Sequence, residues 1–93
     1  MQFMVLAYDG TDEGALERRM AARPAHIAGI RKMVEEGSLI KGGAILDDDG
    51  RMIGSIALVD FPDRAALDRW LETDPYVTGD VWRDITVRPI RLV

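Results

Sequence analysis

Ninety-three residues of which 47% are hydrophobic suffice for one packed domain and are too apolar for a disordered chain. Sixteen acidic against twelve basic side chains give a net charge of −4, with the basic ones scattered, so neither nucleic acid nor a membrane is expected as a partner. With no cysteine and a single histidine, disulfides, iron–sulfur clusters, thiol chemistry and a zinc site of nitrogen and sulfur ligands are excluded, and no metal is expected.

Residues 2 to 9 read as a strand closed by Asp9-Gly10-Thr11. Phe3, Val5 and Ala7 point one way and Met4, Leu6 and Tyr8 the other, so both faces should be covered. No basic stretch precedes this strand and its apolar run is short for a leader or a membrane span, so a cytoplasmic protein is expected. Thr11 is expected to cap a helix that carries Asp12 and Glu13 in its first turn, with Leu16 and Met20 as an apolar pair.

Pro24 reads as an interruption, because proline fits best at the first position of a helix. A second helical segment would then run from Pro24 to about Glu36, with Arg23 at its cap and Ile27, Ile30 and Val34 on one side. Gly37 would end it. That places His26 in a first turn, where the positive end of the helix dipole disfavours the imidazolium and keeps a neutral ring. A neutral histidine in a pocket is the commonest general base, although the same residue also serves as an ordinary half-buried helix side chain.

Ser38 to Leu46 reads as a second strand, and its interior Gly42-Gly43 marks a bulge or a close approach. Asp47-Asp48-Asp49-Gly50 is a hairpin turn rather than a calcium loop, since the bidentate glutamate of such a loop would fall at Leu58. Strand three, Arg51 to Phe61, sets Ala57, Val59 and Phe61 against Ile56 and Leu58. Pro62-Asp63 opens a helix with Ala66, Leu67, Trp70 and Leu71 at helical spacing. Asp74 before Pro75 is a capping aspartate that opens a further helical turn. The last strand runs from Trp82 to Val93, and Pro89 makes it an edge.

The order strand, helix, strand, strand, helix, strand predicts a single α+β domain, ferredoxin-like βαββαβ, with a four-stranded antiparallel sheet. Strands one and three are central, and they are the ones apolar on both sides. Two helices cover one face, so the other is expected to meet a second copy of the sheet in a homodimer.

Arg23-Pro24-Ala25-His26-Ile27-Ala28, Gly42-Gly43, Gly54-Ser55-Ile56-Ala57-Leu58-Val59, Asp74-Pro75-Tyr76-Val77 and Arg88-Pro89-Ile90 together resemble the YciI-like (YCII-related domain) family over nearly the whole chain. The resemblance implies a dimeric α+β barrel and an active site centred on a histidine and an aspartate, here His26 and Asp74. It also implies chemistry such as dehydrochlorination of chlorinated hydroxyquinols, with muconolactone isomerase-like enzymes and cofactor-free monooxygenases as relatives on the same barrel. The tight turn after Gly42-Gly43 departs from the longer loop of many family members.

The residues themselves agree with such a pair, because a carboxylate on one imidazole nitrogen fixes the tautomer and supports the cation. Arg23 is a candidate for holding an anionic substrate by forked hydrogen bonds, Ser55 for offering a hydroxyl, and Tyr76 for a pocket wall. Trp70 and Trp82 are expected to pack. The expected function is a cofactor-independent lyase or isomerase acting by proton abstraction on a small cyclic anion. The alternative is a non-catalytic dimeric module that binds a small ligand or supports a partner protein.

Overall fold

The computed structural model covers residues 1–93 and contains β1 (Gln2–Asp9), α1 (Ala15–Glu36), β2 (Leu39–Leu46), β3 (Met52–Asp60), α2 (Arg64–Thr73), α3 (Pro75–Thr78) and β4 (Trp82–Ile90). The strands form one antiparallel sheet in the order β2-β3-β1-β4, which is the expected ferredoxin-like α+β topology with β1 and β3 at the centre. Val5 lies opposite Ala57 and Val87, so these three residues share a face, and that face carries the helices. Phe3, Val5, Ala57 and Val59 pack there with Met33 of α1, Leu39 of β2 and Leu67 of α2. Each fully buried side chain of this kind contributes about 1.5–3 kcal/mol. Met4, Leu6 and Leu58 lie on the other face, half-buried, and Tyr8 and Ile56 are exposed there. No helix is long and apolar enough to cross a membrane.

The helical region differs from the sequence reading. One helix of 22 residues passes straight through Pro24, so Arg23 is no cap and His26 lies in mid-helix, away from either end. The helix dipole therefore has no special hold on the imidazole. Thr11 does not cap this helix either. Gly14 occupies the cap position without a side-chain bond, and Asp12 is taken by Arg18 at 2.9 and 3.1 Å. Those hydrogen bonds hold the Asp12 carboxyl at about 2. Pro24 is tolerated because it is exposed, and the carbonyl it leaves unbonded belongs to Met20, also on the solvent side. A mid-helix proline still costs about 3 kcal/mol. Pro24→Ala should thus raise stability by about 1–3 kcal/mol in urea unfolding; a fall would mean that the ring itself packs.

The inward stripe of α1 is Ala15, Arg19, His26 and Met33, whereas Leu16, Met20 and Val34 are exposed. Burial of polar residues on this stripe is what defeats the apolar spacing. Gly37 ends the helix at φ +83, a conformation that costs glycine nothing. The register of β2 shifts between Leu39 and Lys41, ahead of the paired glycines, which themselves pair regularly with Ala57 and Ile56 rather than forming a bulge. At the tip of the β2–β3 hairpin, Asp47 Oδ1 accepts from the amides of Asp49 and Arg51, so this carboxylate is spent on the turn.

Candidate active site

Arg19, Arg23 and His26 follow one another at intervals of four and three along α1 and so project from one side of it. They reach a cavity of about 270 Å³ between α1 and the β2–β3 half of the sheet. Its apolar wall includes Ile27, Ile30, Leu39, Met52 and Trp82. Gly42 and Ala44 of β2 pair with Ala57 and Ser55, and these small residues leave the floor open. A methyl at Gly42 would stand 3.3 Å from the Ile56 carbonyl, a tight fit with little room for anything larger.

At the junction of α2 and α3, Asp74 is nearly fully buried. Its Oδ2 accepts from the Tyr76 amide at 2.9 Å, capping α3, and lies 2.8 Å from His26 Nδ1, with Oδ1 at 3.1 Å. With the bond to Asp74 made through a hydrogen on Nδ1, the neutral ring carries its lone pair on Nε2. Nε2 has no protein partner and is not sealed from the cavity that His26 lines. The Tyr76 ring lies on the imidazole at 3.7 Å between centroids and 14° between planes, and Trp82 meets both rings edge-on. The ring is thus held in its plane by stacking and about its axis by the carboxylate.

A second buried cluster stands behind Tyr76. Arg19 Nη1 donates to both oxygens of Asp9 at 3.0 and 3.1 Å, and Nη2 donates to Ser55 Oγ at 2.9 Å. Trp82 Nε1 donates to the same Oγ at 3.1 Å. The guanidinium carbon sits 4.6 Å from the Tyr76 centroid, within cation–π range. Burial pushes the Asp9 carboxyl up, and Arg19 pulls it the other way without cancelling the effect. No group of three or more carboxylates, imidazoles or thiols is placed to hold a metal.

The five residues singled out from the sequence therefore converge. His26, Asp74 and Tyr76 are in mutual contact, and Arg23, Ser55, His26 and Tyr76 line the cavity. Ser55 differs from expectation in one respect: its oxygen already accepts twice, so it has only its own hydrogen to offer. Arg19, Asp9 and the polar role of Trp82 escaped the sequence reading. Arg19 looked like one more solvated charge beside Arg18, and Asp9 like a turn residue. The spacing of seven from Arg19 to His26 was the available signal.

Residues 1–91 match the YCII-related domain. The chain belongs to the YCII-related family. This YCII-related chain is 31% identical over its whole length to Protein YciI of Escherichia coli O6:H1, covering 99% of that protein. It is 29% identical, at the same coverage, to an uncharacterized protein of Haemophilus influenzae. Among solved structures it is similar to the 5-chloro-2-hydroxyhydroquinone dehydrochlorinase TftG from Burkholderia phenoliruptrix AC1100, in complex with 2,5-dihydroxybenzoquinone, with a TM-score of 0.84 at 22% identity over 98% of this chain and 94% of that one. A dimeric ferredoxin-like protein from Jannaschia sp. CCS1 follows at TM-score 0.54 and 21% identity, covering 98% of each chain. An antibiotic biosynthesis monooxygenase reaches 0.56 at 18% identity, over 99% and 97% of the two chains. At these identities the structural likenesses speak to the shared fold of the YCII-related chain.

Proposed function

We propose that the protein is a cofactor-independent lyase or isomerase in which His26 is the general base and Asp74 orients it. The observation that carries this reading is the bond from His26 Nδ1 to Asp74 at 2.8 Å, with Nε2 left free toward the cavity. Nε2 takes a proton from a carbon of the substrate ring, and Asp74 stabilises the imidazolium so formed. The C–H electron pair becomes a new π bond. In elimination this happens as a leaving group such as chloride departs from the neighbouring carbon with its own pair; in isomerisation the new π bond displaces a neighbouring π pair, which takes a proton at another carbon. Arg23 has no carboxylate partner in the protein and is the cation available to an anionic substrate. The dehydrochlorinase that shares this fold supports a small cyclic substrate.

The reading is tested by following the His26 ring nitrogens by NMR while hydroxybenzoates or 2,5-dihydroxybenzoquinone are added. The expected result is a change at Nε2 with Nδ1 still bonded to Asp74. A His26 spectrum indifferent to these anions, with their binding unaltered in His26→Ala, would sink it.

The protein acts as a homodimer through the sheet face opposite the helices. Supporting this are the apolar Met4, Leu6, Tyr8, Ile56 and Leu58 on that face and the dimeric character of a similar structure. Leu6→Asp should dissociate or unfold the protein in sedimentation velocity runs. A wild-type chain that is monomeric and fully folded at micromolar concentration would contradict the dimer.

A further inference from the structure

Five polar side chains line the cavity: Arg19, Arg23, His26, Ser55 and Tyr76. Arg19 and Ser55 are engaged with each other and with Asp9 and Trp82 through the Arg19 Nη atoms and the Ser55 hydroxyl oxygen, while Arg19 Nε is buried with no partner. His26 offers a lone pair at Nε2, and Arg23 offers positive charge. That leaves the Tyr76 hydroxyl, a neutral donor for which the protein supplies no partner. Tyr76 is only 1% exposed, so whatever surface its hydroxyl retains opens into the cavity it lines.

We propose that Tyr76 Oη is the donor to the substrate oxygen that gains negative charge while His26 removes a proton. The inference rests on the reading of His26 and Asp74 given above and adds a second catalytic residue to it. The bookkeeping is that of an enolate. The C–H bond breaks and its proton goes to Nε2; its pair forms a carbon–carbon π bond, and the carbonyl pair moves onto oxygen. Tyr76 donates a hydrogen bond to that oxygen without giving up its proton. The oxygen pair then re-forms the carbonyl as the leaving group departs with its electrons, or as a proton returns to another carbon.

The surroundings suit this role. Because the Tyr76 ring stacks on His26, base and donor are held as one rigid unit, the preorganisation that charge stabilisation in a dry site requires. Burial pushes the Tyr76 phenol above its ordinary value, with Arg19 and Arg23 acting in the opposite sense more weakly, so the O–H is retained at neutral pH. The Arg19 guanidinium over the ring adds fixed positive potential behind the donor. The same geometry makes the substrate class narrower: a ring bearing a carbonyl next to the carbon that loses its proton.

Tyr76→Phe is the test, since it keeps the ring, the stack and the backbone donor to Asp74 and removes only Oη. Calorimetric binding of 2,5-dihydroxybenzoquinone to the wild type, Tyr76→Phe and His26→Ala separates the outcomes, with thermal melts and the His26 NMR signals as controls. The expected result is roughly 10- to 100-fold weaker binding in Tyr76→Phe, with melting and the His26–Asp74 signals unchanged. Wild-type affinity in Tyr76→Phe, alongside weakened binding in His26→Ala, overturns this inference and leaves the base in place. No binding to the wild type, or equal binding to all three proteins, overturns both.

Discussion

Asp74→Asn should retain most of the fold and lose most of the proton-transfer rate, whereas Asp74→Ala should lose both. The two substitutions part because the carboxylate holds two bonds of different kinds. The Tyr76 amide needs only an acceptor oxygen, which asparagine supplies as well as aspartate, so the α3 cap survives. Support of an imidazolium needs negative charge, which asparagine lacks. General-base catalysis is worth on the order of 10²–10⁴-fold, and a comparable loss is expected for His26→Ala. That second variant should also lose about 1–3 kcal/mol, because His26 is buried in mid-helix and its removal strips Asp74 of a partner and Tyr76 of its stack. Turnover and urea unfolding measured on the three variants settle the matter. Full activity in Asp74→Asn would reduce the aspartate to a cap.

Arg19→Met is expected to be the most destabilising single change, by about 3–5 kcal/mol, since it strands the Asp9 carboxylate inside the protein. Restoring neutrality should recover much of this: Asp9→Asn combined with Arg19→Met removes the orphan charge, leaving chiefly the lost bond to Ser55. The deficit of the single variant should also depend on pH. Burial already lifts the Asp9 carboxyl in the native protein, and without Arg19 nothing nearby offsets it as strongly. An acid whose folded value is raised stabilises the fold most at low pH and loses that contribution as pH rises through the folded value. Arg19→Met should therefore lag the native protein less at about pH 5 than at about pH 8. Chemical denaturation at both values checks it, and a deficit independent of pH would point to packing rather than charge.

The strands were legible because their physics is one-dimensional. Apolar residues on both faces of β1 and β3 and the aspartate–glycine turn between β2 and β3 left little choice of topology. Asp74 was legible as well, because capping is local and Pro75 marks the cap. The helix was not, for two reasons that share a cause. Pro24 signals a break only when nothing outweighs its cost, and the tertiary contacts of Arg19, His26 and Met33 hold one continuous helix. Those same inward residues are largely polar, so apolar spacing finds Ile27 and Ile30, which do face the cavity, but includes the exposed Val34 and misses Arg19 and His26. Arg19 was invisible for the same reason: a buried guanidinium cannot be told from a solvated one until Asp9 and Ser55, ten and thirty-six residues away, are seen beside it.

Because neighbouring residues of a strand point to opposite sides, β1 and β3 carry two interleaved messages. The odd positions Val5, Ala7, Asp9, Ser55 and Ala57 build the core and the site; the even positions Met4, Leu6, Tyr8, Ile56 and Leu58 build the free face. The two sets can diverge separately in descendants of one ancestral gene. Substitutions at every second position of these strands therefore remodel the free face and leave the groups around His26 in place.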